Sequence, residues 1–450
     1  MRLTLPSLLA LSTLAGCGSG PADAPTGAAP AQARVVVAVV DSAFNPYHEF
    51  FYAGSAIYAD AAPSSVTPAV LAELGVAPED QVTLTRSGTL ADDVAADASF
   101  WSRVQRGRPY WFRGTNLVAI SVCEEPLPPL VPHPDKSAHG TGTSASVLRA
   151  NPEAVLLLVE ACAIGIADAS EQAPALEHPA VDLFNLSFTS DLGMPVAAYP
   201  SYGAVVQRGK LGFQSAGNVP FPTPLLGGPG HWWMIGVGGV DEQAARGQSV
   251  LAGTLPDFVA EDRASLPFCM DCESGELAVA GTSLSSPRAA GVASRVLLEA
   301  RRALGHAGGI RTVGGRALMV DAGGVQISNW DLRRALEEAA YVGYDIAGYQ
   351  PTVGSGLPPV DAIPVNDAAP WLQLAWGDLS PDPDKQVVPE ALAQLGLGTP
   401  AGSKDAGYCQ FQLATLRLRQ TYWDAVDQVR GFGEVVPDPD PYRACDAAGN

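Results

Sequence analysis

Short, unbroken apolar runs recur along the chain, and each closes on a polar or small residue. The first is Arg34-Val35-Val36-Val37-Ala38-Val39-Val40, which ends at Asp41. Others cover residues 154–159, 181–188, 212–216 and 232–240. None alternates cleanly between apolar and polar, so each reads as a strand buried on both faces, the habit of a parallel sheet. Segments at the helical period lie between and after them. The clearest are 286–304 and 332–340, the second entered through Asn329-Trp330-Asp331 with Asn329 as its predicted N-cap. Strands alternating with helices predict an α/β fold, a central and mostly parallel β-sheet flanked by helices. Two regions fall outside the pattern. Residues 50–130 show little periodicity and include an aromatic, basic stretch from Trp101 to Arg113. Residues 365–450 are rich in Pro and Asp, with one predicted helix near 412–429.

Composition narrows the picture. A chain of 450 residues that is 47% hydrophobic and 16% charged can bury a large core, so global disorder is excluded. With 27 basic against 47 acidic residues the net charge is −20, which argues against a nucleic-acid partner, since that needs a basic face. The N-terminus carries Arg2 and then an apolar stretch, Leu3 to Leu14, of signal-peptide length and too short to span a bilayer. It runs into Leu14-Ala15-Gly16-Cys17, which resembles the lipobox of bacterial lipoproteins. The resemblance implies a signal peptide over residues 1–16, lipidation at Cys17 and a flexible tether over 17–33. The product would be an exported lipoprotein anchored to a membrane, periplasmic or at the cell surface. An ordinary secretory signal ending near a cysteine is the other reading. Six cysteines remain: Cys123, Cys162, Cys269, Cys272, Cys409 and Cys445. In an exported chain these suggest disulfides. Cys269-Met270-Asp271-Cys272 reads as a local staple or a redox pair, and a zinc site would need a second such pair that the chain lacks.

The chemistry concentrates in four places. Gly281-Thr282-Ser283-Leu284-Ser285-Ser286-Pro287-Arg288-Ala289-Ala290-Gly291 puts a serine at a Gly-initiated turn, where an apolar strand gives way to an Ala-rich helix. Small neighbours let a substrate backbone approach, and the helix N-terminus favours developing negative charge. A serine hydroxyl is a weak nucleophile and needs a base, which in turn needs an orienting acid. His139 lies in Ala138-His139-Gly140-Thr141-Gly142-Thr143-Ser144-Ala145, on the first turn of a predicted helix. Asp41 ends Val39-Val40-Asp41-Ser42-Ala43-Phe44-Asn45, at the carboxyl end of a predicted strand, where open parallel sheets display their catalytic groups. Gln214-Ser215-Ala216-Gly217-Asn218 offers an amide side chain after another apolar run. His48, in Pro46-Tyr47-His48-Glu49, competes with His139 on residue type alone.

Each of these segments resembles a motif of the subtilisin-like serine proteases (subtilases), and they occur in the family's order, Asp, His, Ser. The resemblance covers about residues 34–364, with 50–130 as an insertion and 365–450 as a C-terminal extension. It implies the subtilisin-like three-layer fold and a serine endopeptidase acting on protein or peptide. Ser283 would be the nucleophile, His139 the base, Asp41 its orienting acid and Asn218 the oxyanion donor. Asp182-Leu183-Phe184-Asn185-Leu186-Ser187 resembles the family strand on which substrate pairs as an added strand. Ser187, Phe188, Thr189 and Gly217 would line the cleft. Gly354-Ser355-Gly356-Leu357-Pro358 resembles the segment that ends many subtilase domains.

Four features depart from the family. Thr143 replaces a small apolar or β-branched aliphatic residue, and Ala43 replaces a glycine and would be strained at positive φ. Thr189 stands where glycine is frequent, and no propeptide fits between Cys17 and Asp41, so maturation would need signal cleavage alone. Trp101, Tyr110, Trp111 and Phe112 would either reach the cleft or pack among themselves. No cofactor is expected; family members hold calcium, but no acidic loop here has a defensible ligand spacing. The alternative to an enzyme is a catalytically silent subtilase-fold lipoprotein that binds peptide or a partner protein.

Overall fold

The computed structural model describes residues 32–58, 62–124, 127–161, 169–188, 198–218, 233–240, 250–251, 257–340, 377–379 and 386–399. Cys17, Thr189, the segment from Gly354, the predicted helix at 412–429 and Cys162, Cys409 and Cys445 lie outside them.

The described elements begin with β1 (Val36–Asp41), then α1 (Pro68–Glu73), β2 (Gln81–Val82), α2 (Leu90–Ala96), α3 (Ala98–Trp101), β3 (Tyr110–Phe112) and β4 (Leu117–Ser121). It continues with α4 (His139–Ala150), β5 (Val155–Glu160), α5 (Ala169–Leu176), β6 (Leu183–Leu186), α6 (Ala198–Gln207), β7 (Leu211–Ser215) and β8 (Ile235–Val240). After β9 (Val250–Leu251) and β10 (Phe258–Glu261), the hairpin β11 (Arg263–Leu266) and β12 (Leu277–Ala280) leads into α7 (Thr282–Leu304). Two small hairpins, β13 (Arg311–Val313) with β14 (Arg316–Leu318) and β15 (Val320–Ala322) with β16 (Val325–Ile327), precede α8 (Asn329–Ala339). β17 (Gly377–Asp378) and α9 (Val387–Gln394) complete the described elements.

One sheet organises them, in the order β17-β10-β8-β7-β6-β1-β5-β4-β3-β2, with β9 beside β8. Its pairings are parallel except β3 with β4 and β8 with β9. The unbroken apolar runs have the expected cause: alternate residues of β1 enter opposite cores. Val35, Val37 and Val39 pack with Leu148 of α4, Leu297 of α7, Leu336 of α8 and Ala391 of α9. Val36, Ala38 and Val40 pack with Leu71 of α1, Leu176 of α5 and Val205 of α6. Helices on both faces of a mostly parallel sheet are the α/β architecture anticipated from the sequence. At β1 about 25 cal/mol for each Å² of apolar surface withdrawn from water is gained on both sides of the strand.

Several local expectations need correction. Residues 50–130 hold regular structure: β4 pairs with β5 in parallel and β3 and β2 extend that edge. Of the two readings of the aromatic stretch, packing holds for Trp101, Tyr110 and Phe112, which are buried against one another and Phe100 in the core and do not reach a cleft. Trp111 is half-buried and spends its indole N–H on the Thr115 carbonyl at 3.0 Å. α7 starts at Thr282, four residues before the predicted periodic segment, directly after the Gly281 turn. The cap of α8 is Ser328: its Oγ accepts from Asp331 N while the Asp331 carboxylate accepts from Ser328 N. Asn329 instead donates to the carbonyls of Val206 and Lys210.

Candidate active site

β1 delivers Asp41 at its carboxyl end, with the side chain 4% exposed. α4 begins at His139, and the two meet: His139 Nδ1 lies 2.8 Å and 2.9 Å from the two Asp41 carboxylate oxygens. A carboxylate facing Nδ1 keeps the proton on that nitrogen and leaves Nε2 with its lone pair, the form a general base requires. The same carboxylate accepts from Ser42 N at 2.7 Å and from Thr143 Oγ at 3.0 Å. The charge of Asp41 raises the His139 pKa above its ordinary 6.5; burial opposes this, and the hydrogen bond adds to it. Gly140 permits the approach. A Cβ at that position would sit 2.3 Å from the Ala43 carbonyl oxygen.

α7 brings Ser283 to the site in its first turn, entered from Gly281 at φ +146°, a conformation that disfavours any side chain. Ser283 Oγ donates to the Ser187 carbonyl at 3.0 Å, and Ser187 Oγ donates back to the Ser283 carbonyl at 2.9 Å. Asn185 Nδ2 donates to Ser187 Oγ, and Ser286 Oγ donates to Asn185 Oδ1, both at 2.7 Å. The end of β6 is thus laced to the start of α7. Among the described residues no hydrogen bond joins Ser283 to His139. α4 and α7 pack closely, with Ser146 Oγ donating to the Leu284 carbonyl at 2.8 Å.

Asn218 is exposed, and its Oδ1 accepts from Thr282 N at 2.8 Å and from Thr282 Oγ at 3.0 Å. Gly217 N donates to Thr282 Oγ at 3.1 Å. Fixing the oxygen leaves the NH2 group as the open end of the amide. Among the described residues neither Asn218 Nδ2 nor the Ser283 N–H has an acceptor, the latter because a first-turn N–H has no partner within its helix. Two open donors at a helix N-terminus suit an oxyanion.

The other predicted residues divide. Ser187 and Gly217 are buried beside Ser283 and Thr282, and Phe188 is half-buried, its carbonyl accepting from Gln214 Nε2 at 3.1 Å. β6 has no open edge, being paired with β1 and β7, so an added substrate strand cannot form on Leu183–Leu186. Asp182 belongs to the core: both its oxygens accept from Arg301, at 2.7 and 2.8 Å, and neither side chain is exposed. Ala43 is buried without positive φ and is unstrained on that count. His48 is not a rival base, because Nε2 donates to the Gly275 carbonyl and Nδ1 accepts from Phe50 N.

His48, Cys269 and Cys272 gather within 4.8 Å, the one group of metal-ligating type among the described residues. The two cysteines are joined to each other, however, and both nitrogens of His48 are engaged, so the cluster is a staple. Sequence reasoning missed two supports of the site. The Thr143 hydroxyl is a donor to Asp41, not a mere departure from a motif. Lys136 and Glu160 form a buried pair at 2.6 Å that ties the segment before His139 to the end of β5, where Glu160 is in register with Asp41. The available signal was scarcity, since Lys136 is one of only four lysines in the chain.

No protein-family model matches the chain, and no curated protein is similar to it. Among solved structures it is similar to the prenylagaramide maturation protease PagA, with 16% identity over 82% of this chain and 96% of that one and a TM-score of 0.42. It is also similar to the self-cleaved protease domain of PatA, with 14% identity over 82% and 99% and a TM-score of 0.43. A cold adapted subtilisin-like serine proteinase is 15% identical over 59% and 76%, with a TM-score of 0.36.

Proposed function

We propose that this chain is a subtilisin-like serine endopeptidase held at a membrane by a lipid on Cys17. Ser283 Oγ attacks the carbonyl carbon of a peptide bond while His139 Nε2 takes its proton. The tetrahedral oxyanion is received by Asn218 Nδ2 and the Ser283 N–H. His139 then returns the proton to the leaving amine as the C–N bond breaks, and water resolves the acyl-enzyme by the same steps in reverse. Protein or peptide is the substrate.

The observation that carries this reading is the Asp41–His139 contact, because it selects the imidazole tautomer in which Nε2 is basic. A fluorophosphonate probe tests it: labelling at Ser283 is expected and should vanish in Ser283→Ala. A folded protein that resists labelling would leave the silent, peptide-binding lipoprotein, the reading favoured by the hydrogen bond from Ser283 to Ser187. The anchor is tested by radiolabelled palmitate, expected to be incorporated in the wild type and absent in Cys17→Ala.

A further inference from the structure

Residues 267–276 join β11 to β12 and reach the base from a direction that the triad does not use. Phe268 meets the His139 ring edge-on, with centroids 5.9 Å apart and planes at 84°. The same ring covers Gly142 on the next turn of α4, so closely that a Cβ there would meet it at 2.3 Å. Directly after Phe268, Cys269 and Cys272 close a disulfide. Asn45 Nδ2 donates to both their carbonyls, at 3.3 and 2.7 Å, while Asn45 N donates to Thr141 Oγ on α4 at 2.9 Å. Further along, Glu49 N donates to the Glu273 carbonyl at 2.7 Å, and Gly88 N to the Glu273 carboxylate at 3.0 Å. The loop is therefore fixed at several points to the segments after β1 and before α2, and it delivers one side chain to His139.

That side chain has a task. Asp41 holds the imidazole at one nitrogen only, and a ring held at a single edge can still pivot about that contact. A second, apolar contact removes the pivot without competing for Nε2. An edge-to-face pair suits this because it constrains orientation and offers no hydrogen bond.

We infer that Phe268 is a positioning residue for His139, and that the Cys269–Cys272 loop holds Phe268 in place. This rests on the peptidase reading for its effect on rate, but not for its effect on the ring. The test uses the full chain as wild type, Phe268→Ala, Phe268→Leu and the double variant Cys269→Ser with Cys272→Ser. Fluorophosphonate labelling is followed against probe concentration, and the downfield proton resonance of His139 Nδ1–H is recorded by NMR. In Phe268→Ala the maximal labelling rate should fall about threefold to tenfold, the weight of one aromatic pair, with half-saturation unchanged. The resonance should broaden by exchange with water. The double cysteine variant should change both in the same direction. Phe268→Leu, which keeps the apolar bulk but not the flat ring that meets the imidazole edge-on, serves if the alanine variant does not fold, and should slow labelling likewise. Wild-type rate and a wild-type resonance in a folded Phe268 variant would overturn the inference. A wild type that shows the resonance but takes no label would overturn the peptidase reading alone.

Discussion

Replacing Gly140 by alanine probes the site at its tightest point. The new Cβ would lie 2.3 Å from the Ala43 carbonyl oxygen, 2.8 Å from Phe44 Cε1 and 3.0 Å from Asp41 Cβ. An ordinary carbon–oxygen contact is about 1 Å longer than the first of these. The obstacle is backbone in a fully buried residue, so it cannot swing aside as a side chain would. Either α4 or the loop after β1 must move by about that 1 Å. A shift of α4 carries His139, which directly precedes Gly140, and lengthens its 2.8 Å contact with Asp41 toward about 3.8 Å, beyond hydrogen-bond range. Misplacing a reacting group by about 1 Å costs on the order of 10²-fold in rate. Overpacking adds about 1–3 kcal/mol of destabilisation. At about 2 °C for each kcal/mol in a large domain, melting should fall by about 2–6 °C. Fluorophosphonate labelling and a thermal melt read the two effects separately. Gly398→Ala, whose Cβ would meet only ordinary contacts at 3.4 Å, should change neither. A Gly140→Ala protein labelled at the wild-type rate would refute the reasoning, since it would show that the Asp41–His139 contact tolerates the displacement.

Three further outcomes follow from the same geometry. Because Asp41 holds the His139 pKa above 6.5 and the base must be neutral, labelling should rise with pH through a midpoint above 6.5. In Asp41→Asn the midpoint should drop, since burial, which lowers it, is then the main remaining influence; an unmoved midpoint in a labelling titration would contradict this. For stability the sign is opposite: a raised folded pKa stabilises fully below 6.5, and that increment is lost as pH rises through the folded value. Asn218→Asp keeps the oxygen that accepts from Thr282 N but removes the NH2 donor, so labelling should slow by about 10²–10³-fold. A melting temperature close to wild type would separate this from loss of the contacts to Thr282. Arg301→Met removes both charged hydrogen bonds to the buried Asp182 carboxylate, leaving it the Val36 N–H and the more distant Arg34, and should cost about 3–5 kcal/mol in a denaturant titration, with part recovered in the double variant Arg301→Met with Asp182→Leu.

The sheet's central strands were legible because burial on both faces leaves no room for alternation, and β1, β5, β6, β7 and β8 all announce themselves as apolar runs. The edge formed by β2, β3 and β4 was not. Its strands are two to five residues long, and their place comes from pairing with β5, which no local period records. The stretch from Trp101 to Arg113 left open whether its aromatics reach the cleft or pack among themselves, since residue type does not record their partners. The guanidinium groups of Arg103 and Arg113 lie over the rings of Phe100 and Trp111, at 5.6 and 5.5 Å from the centroids, while Trp101, Tyr110 and Phe112 fill the core. Ser328 and Asn329 are both good caps by residue type; the choice was made by Asp331, which reaches the Ser328 N–H, and by the carbonyls that claim Asn329. At the site, residue identities could be read but partners could not. Asp41, His139 and Ser283 sit in motifs, whereas Thr143 and Lys136 matter through contacts with residues 102 and 24 positions away.

The hydrogen bond between Ser283 Oγ and the Ser187 carbonyl bears on whether the site can act, and its magnitude decides the matter. A neutral hydrogen bond of this kind is worth about 0.5–1.5 kcal/mol net. Releasing the hydroxyl toward His139 therefore costs about tenfold in rate at most, against enzymatic accelerations of about 10⁶-fold or more. The position of the resting hydroxyl is thus a weak argument for a silent scaffold. The expensive feature is elsewhere. Asp41 is a nearly buried carboxylate, and taking such a charge out of water costs several kcal/mol before its partners repay it. In this position the charge holds one tautomer of a ring whose other nitrogen has no hydrogen-bond partner among the described residues, the arrangement that the proposed proton transfer calls for.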